Sequence, residues 1–478
     1  MLGEAGHLSI PILEANGSVR FGGRGVEPRR VVIVGASLAG AFAAAAACGA
    51  GRSVTVLERD VLPPTGPAPR SGVPQGRQPH VFLNRGLLAV EQLLPGFSAE
   101  MLKAGAVALD TGDLAWLGEF GWNPGGSRQF EVFSASRPLF EHLVLRRVRA
   151  MPGVEVRDRV RVESVRRGGP GGPTWLVELT DGSVEAADLV VDASGRGSRL
   201  PLWLSAAGVG PVRMSEVDAH VGYATREYAV RSDHVRPAGI VVQQTPQTLA
   251  GGVALPVEGN RWLVGAIGSG DRRPPRDAEG FTNFLDSLSD SALSELVHTG
   301  QPLGDVAVHR QTANRRHHYE RVRNWPSGLL VMGDALCALN PIYGQGITVA
   351  ACEALLLRKA IGQGLRPGDE RRLLRSFCKV TALPWAIATG EDPRYPTCTD
   401  TGSVGQAMLH RWTSELSRLS AHGDALAQSS IARVYHLMAP PWLLFRPGLL
   451  AAALRARIRG YGPPTPRPQI LKPAAGQP

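Results

Sequence analysis

Lysine is nearly absent from this chain of 478 residues: only Lys103, Lys359, Lys379 and Lys472 occur, and arginine carries the rest of the cationic charge. That bias reads as the coding habit of a GC-rich genome and not as function. Cysteine is also scarce. Cys48, Cys337, Cys352, Cys378 and Cys398 are scattered, with no C-x-x-C pair and no metal-ligand spacing. They read as buried reduced thiols. With no HExxH and no other His/Cys cluster, a metal site is not expected. No apolar run reaches the roughly 18 residues that span a bilayer. The first 30 residues lack the basic start and apolar run of a signal peptide. A cytoplasmic protein without stable membrane insertion is the expectation. Acids are missing after Asp424, where Arg433, Arg446, Arg455, Arg457, Arg459, Arg467 and Lys472 supply most of the net charge of +10. The body is therefore near neutral, with no basic stripe interleaved with aromatics, which argues against nucleic acid. The basic end reads as a solvated tail.

What is present is a folded, lobed chain. Apolar content of 43% and charged content of 20% fit a globular enzyme, and the length implies two or more lobes. Residues 1–28 are Gly-rich and unpatterned, a flexible extension. RVVIV (30–34) predicts a strand, the Ala-rich stretch from Leu38 a helix to about residue 50, and SVTVLE (53–58) a second strand. This β-α-β unit closes within about 30 residues. Pro/Gly-rich sequence runs to about residue 79, and helical spacing follows near 83–94 and over 136–151. ADLVVDASGRGS (187–198) is a buried strand and a Gly/Ser loop. From 209 to 324 the pattern is mainly β. GLLVMGD (328–334) is again a buried strand, and the remainder is helical to a Pro-rich end.

Three motifs carry chemistry. VVIVGASLAG (31–40) departs from G-x-G-x-x-G only at Ser37, between Gly35 and Gly40. It follows a β-branched strand and opens a helix whose N-terminus can hold a pyrophosphate. Glu58, 23 residues after Gly35, is placed to accept ribose hydroxyls and to disfavour a 2′-phosphate. GDALCALNPIYGQGITVA (333–350) joins a strand to a helix through an acid, a proline and a Gly-Gln-Gly turn. That set can serve a flavin: Asp334 toward the ribityl chain, and the helix from about Gly344 toward the pyrimidine edge, where its amides stabilise negative charge.

GASLAG with Glu58-Arg59, DASGRGS and GDALCALNPIYGQG, in this order and at these separations, resemble the class A flavoprotein monooxygenases of the p-hydroxybenzoate hydroxylase fold. The resemblance spans roughly residues 29–400. It implies an α/β architecture: a Rossmann-like FAD-binding domain in two parts (29–208 and 325–400), an inserted β-sheet substrate domain (209–324), a C-terminal helical region (401–460) and a Pro-rich tail (461–478). It implies that Gly35, Ser37, Leu38, Ala39, Gly40 and Glu58 bind the ADP part of FAD. Arg59, Arg137, Gly333 and Asp334 fall at further FAD-contact positions. Pro341, Gly344, Gln345 and Gly346 lie by the isoalloxazine ring. The middle motif has Ser194-Gly195 where the family has Asp-Gly, a motif linked there to both FAD and NAD(P)H binding. The electron donor is accordingly NADPH, NADH or a separate reductase. RSGVPQGRQPHVFLNRG (70–86), GYATREY (222–228), NRRHHYERVRNWPSGLLVMGDA (314–335) and ATGEDPRYPTC (388–398) are similar to stretches of actinobacterial polyketide-pathway flavin enzymes, nearest the polyether epoxidases that distantly resemble squalene epoxidase.

The implied reaction is transfer of one oxygen atom from a flavin hydroperoxide to a hydrophobic polyketide-type substrate, as alkene epoxidation or hydroxylation. Hydroxylation of a phenol is helped by a base, for which His80, His309, His317 and His318 are candidates; epoxidation needs none. Tyr223, Arg226, Trp262 and Tyr343 are candidates for the substrate lobe's lining or its packing. Flavin halogenases share the fold but use an essential lysine and a WxWxIP segment. This chain has no such segment and no lysine from 104 to 358. Two alternatives stay open: a non-redox, FAD-bound [4+2] cyclase, and a non-enzymatic flavin- or polyketide-binding protein. MAPPWLLFRPGLLAAALRARIRG (438–460) is apolar, then basic: a helix packed on the body, or one that admits an oily substrate from a membrane surface.

Overall fold

The computed structural model describes residues 28–49, 51–169, 174–366 and 368–472. The expected N-terminal extension lies outside the described residues except for Pro28. At the centre is a five-stranded parallel sheet in the order Leu329–Val331, Leu189–Asp192, Arg30–Val34, Ser53–Leu57, Val154–Arg157. These runs are short and β-branched, and Val31 to Val34 are all buried, as strands covered on both faces must be. Helices Leu38–Ala47, Arg137–Arg149 and Gly346–Gly362 pack in the same core. Phe42, Phe82 and Phe97 gather round Phe140. The mixed α/β fold is the one the sequence implied.

A second sheet of seven strands, mostly antiparallel, forms the other lobe. Its order is Gln301–His309, Val221–Ala229, Arg261–Ser269, Ala250–Val257, Gly239–Val242, Leu114–Gly118, Gly121–Trp122. The last two strands come from before residue 209. Two helices, Ala278–Asp286 and Ala292–Thr299, back this sheet; Phe281, Leu285, Leu293 and Leu296 pack against Tyr228 and Trp262. The mainly β reading of 209–324 did not resolve them. The Pro74–Arg77 turn joins the lobes, because Thr225 Oγ1 donates to Gln78 Oε1 at 2.6 Å and Gln78 Nε2 donates to the Ala307 carbonyl at 3.2 Å.

Helices Asp369–Glu391, Val404–Ala421, Ala425–Tyr435 and Pro447–Arg459 complete the chain. The basic end is not wholly solvated. Arg467 pairs with Asp290 at 3.0 Å, Ile470 is buried against the second lobe, and the Lys472 amide donates to the His234 carbonyl. Ile470 and Leu471 give that segment an apolar anchor which its proline and arginine content conceals. Cys337, Cys352 and Cys378 are buried and Cys48 and Cys398 half-buried, all unpaired. Among the described residues, no helix is long and apolar enough to cross a membrane.

Candidate functional site

The three motifs meet at the carboxyl ends of adjacent parallel strands, where open α/β sheets bind ligands. Register puts them side by side: Val34 is opposite Asp192, and Asp192 opposite Val331. Two glycines make the joints. Gly35 has φ +97°, and a Cβ there would stand 2.7 Å from the Ala193 carbonyl oxygen. Gly333 has φ +62°, and its Cβ would stand 2.6 Å from that of Ala39. Side chains at these positions would push the loops apart and strain the backbone. Leu38, Ala39 and Gly40 form the first turn of helix Leu38–Ala47, with Gly40 pressed on the Gly35 carbonyl. That turn holds no acid, and the Ser37 side chain does not cap it. Its leading amides lack intrahelical acceptors and are open to an anion.

The Ser37 hydroxyl donates instead to Glu141, at 2.5 Å. Arg137 Nη2 donates to Ser37 Oγ at 3.0 Å and to Glu141 Oε1 at 3.2 Å. Arg70 bridges Glu141 at 3.2 Å and Glu58 at 2.9 Å. Glu58 is thus already engaged: Oε2 also accepts the Ala36 amide at 2.8 Å, and Oε1 the Asp60 amide at 3.0 Å. Burial pulls the Glu141 carboxyl up, but Arg137 and Arg70 outweigh it and hold the group below the usual carboxylate range. Arg137 is buried, and its Nε has no partner. A fixed guanidinium with a spare donor near an uncapped helix start fits a phosphate. Arg59 is exposed at the end of its strand, outside this cluster. Sequence reasoning missed Arg70 and Glu141. Arg70 lies in an aperiodic Pro/Gly-rich stretch, and the only signal for Glu141 was its i,i+4 spacing from Arg137.

At the second motif Asp192 is fully buried and accepts from the Ser194 amide (3.0 Å), Ser194 Oγ (2.6 Å) and Ser198 Oγ (2.5 Å). Burial raises its carboxyl above the ordinary range, against those three hydrogen bonds. Ser194, which stands where the resembled motif has Asp, is a donor that holds Asp192 through both its amide and its hydroxyl. Arg196 was also missed. It donates to the Ala313 and Leu339 carbonyls at 2.6 and 2.5 Å and lies 3.8 Å from Asp334, tying the second motif to the third. The Gly333 amide donates to buried Glu353 at 2.7 Å, which fixes the turn that carries Asp334.

The Pro341–Tyr343 turn rests on a buried polar network. Tyr343 Oη and Asn314 Nδ2 each donate to Asp392 at 2.6 Å, and the Asn340 amide donates to Asn314 Oδ1 at 2.7 Å. Tyr223 Oη donates to Asn340 and accepts the Ile342 amide at 3.1 Å. Desolvation, with the charges of Asp218 and Glu391, raises the Asp392 carboxyl to about 7 despite its two donors. Gly344 takes the left-handed conformation, and Gln345 leads into the helix that begins at Gly346. Gln345 is buried with Oε1 unpartnered, while Tyr435 Oη donates to the Tyr343 carbonyl at 3.1 Å, so the C-terminal helices close this end. Asp392 was invisible as a site residue because nothing in its sequence surroundings marks it as buried.

The four histidines divide. His80 lies beside Gln78, which bonds the second sheet, and buried His309 ends a strand of that sheet next to Tyr223. Burial and the Arg137 charge lower His80 to about 4, with His309 adding, and burial and Arg196 lower His309. At about 4, His80 is held neutral at physiological pH. His80 Nδ1 lies 2.7 Å from the Gln78 carbonyl, so that nitrogen donates and Nε2 is left as the acceptor. His317 ends a strand of a separate three-stranded sheet and His318 follows it; His317 stacks on Tyr319 and His318 bonds Ser215 at 2.8 Å. Trp262 is core, and Arg226 lies over Tyr228 and donates to the Gly304 carbonyl, so both pack the sheet.

A sequence model described as "FAD binding domain" matches residues 29–389. The chain belongs to this family. FAD is its cofactor. Protein Rv3254 of Mycobacterium tuberculosis is 31% identical over 403 residues, covering 80% of this chain and 81% of that protein. Two solved structures share the fold. The Diels-Alderase PyrE3 of pyrroindomycin biosynthesis has a TM-score of 0.56 at 19% identity, over 85% of this chain and 80% of that one. PqsL of Pseudomonas aeruginosa, a probable FAD-dependent monooxygenase, has a TM-score of 0.56 at 18% identity, over 76% and 97%.

Proposed function

We propose that this protein is an FAD-dependent monooxygenase that adds one oxygen atom to a hydrophobic, polyketide-type substrate by epoxidation or hydroxylation. The observation that carries the reading is the meeting of Gly35–Gly40, Asp192–Ser198 and Gly333–Asp334 beside Arg137, a buried cation with an unused donor. On this reading Gly35, Ser37, Leu38, Ala39, Gly40 and Glu58 hold the ADP part, and Arg137 the pyrophosphate. Gly333 and Asp334 take the ribityl chain; Pro341, Gly344, Gln345 and Gly346 border the ring. Reduced FAD supplies the activation of dioxygen, and NADPH, NADH or a reductase supplies its electrons. The chain's own residues exclude water and manage protons. Tyr435 and the helix that carries it cover the ring end. Neutral His80 offers Nε2 as an acceptor, and Asp392 holds a proton one hydrogen bond from Tyr343.

A second reading, a non-redox [4+2] cyclase, is favoured by Ser194, whose hydroxyl is committed to Asp192, and by the fold shared with a Diels-Alderase. One experiment separates the two. The protein is incubated with a polyene in air, with NADPH or a flavin reductase. A product heavier by one oxygen atom supports the monooxygenase. An isomer of equal mass formed without reductant supports the cyclase and refutes the first reading.

A further inference from the structure

The helix Pro447–Arg459 buries Leu449, Ala452, Ala453 and Ala456 against Val404–Ala421 and Ala425–Tyr435. Its outer face is apolar as well. Leu450, Leu454 and Ile458 recur every fourth residue and are 49%, 60% and 73% exposed. At 100° per residue they form one stripe turned away from the packed face. Trp442 and Phe445, on the preceding Pro441–Phe445 turn, are exposed too, Trp442 by 69%. Arg455 and Arg459 border the stripe on one side and Arg457 on the other, by the same helical geometry. All three are exposed; Arg457 alone has an acid near, with Nε 3.8 Å from Glu415. No Asp or Glu follows Asp424 in the sequence.

A helix that faces water carries its polar residues outward. This one carries a hydrophobic band between two cationic edges. We propose that the Trp442–Ile458 face docks on the surface of an anionic phospholipid bilayer. The aliphatic stripe enters the headgroup-acyl boundary, Trp442 lies at the interface, and the arginines extend to lipid phosphates. Charge argues against a second copy as the occupant. A two-fold contact across this face would gather Arg455, Arg457 and Arg459 of both copies into one interface, where Glu415, beside Arg457, is the one acid near these arginines among the described residues. The inference does not depend on the reaction assigned to the FAD site.

The test is co-flotation of the full chain with phosphatidylcholine vesicles, with and without phosphatidylserine. Binding is expected only to the phosphatidylserine vesicles and falls as salt rises. Leu454→Ser with Ile458→Ser abolishes it, and each of Arg455→Ser and Arg459→Ser weakens it about fivefold. Far-ultraviolet circular dichroism of each variant reports that the helices are retained. No binding to either vesicle overturns the proposal, as does binding that these variants leave unchanged. A concentration-dependent dimer that Leu454→Ser dissociates, without vesicle binding, overturns it in favour of a contact between copies.

Discussion

Replacing Asp392 by asparagine should make the protein more stable at neutral pH and leave it unchanged in acid. Asp392 is buried beneath the Pro341–Tyr343 turn, and its carboxyl is raised from 3.8 to about 7. The folded chain therefore keeps a proton that the unfolded chain releases. An acid raised in this direction contributes most below its unfolded pKa, and its contribution falls as pH rises from about 4 to about 7, then levels. Roughly three pKa units at ~1.4 kcal/mol each place the cost of the wild-type carboxyl near 4 kcal/mol at neutral pH. A carboxamide in its place reproduces the protonated acid: the NH2 group can donate to Tyr343 Oη, and the carbonyl can accept from Asn314 Nδ2. The unfolding entropy of a chain this long, at ~2.1 cal/mol/K per residue, converts 4 kcal/mol to about 4 °C in Tm. Scanning calorimetry from about pH 4 to 8 measures the difference directly, and subtraction removes the opposite trend from buried neutral histidines such as His80 and His436. Asp392→Asn should match wild type near pH 4 and lie about 4 °C above it near pH 7. Melting curves that run in parallel across that range would refute the raised carboxyl.

Other substitutions probe the cofactor end. Arg137→Met removes a charged donor and should weaken FAD binding about 10- to 100-fold by fluorescence titration. Gly333→Ala forces a side chain into φ +62° and toward Ala39, and should cost about 1–3 kcal/mol in urea unfolding while lowering FAD content. Ser194→Ala strips a hydroxyl from buried Asp192 and should cost about 1–3 kcal/mol; a variant as stable as wild type would mean that the serine does not hold the acid.

The framework was legible because it is periodic. RVVIV and the Ala-rich run from Leu38 announce a strand and a helix by composition, and the strand Arg30–Val34 matches its reading. The three glycine motifs lie at strand ends because close approach of loops leaves room for little else. Residues that act through tertiary pairing stayed hidden. Arg70, Glu141, Arg196 and Asp392 come from a Pro/Gly-rich loop, a helix face, a turn and a helix end, and no local pattern links them. Helices Ala278–Asp286 and Ala292–Thr299 were absorbed into a β-rich stretch because they are short and their flanks are not. Ile470 was passed over because one apolar anchor does not stand out among prolines and arginines.

The cofactor itself offers the most direct measurement. The purified chain should be yellow, release FAD on denaturation in a one-to-one ratio, and rebind it after removal, with Arg137→Met rebinding poorly. A colourless protein that takes up no FAD, or an Arg137→Met variant that binds it as tightly as wild type, would contradict the assignment of the strand-end loops and Arg137 as its site.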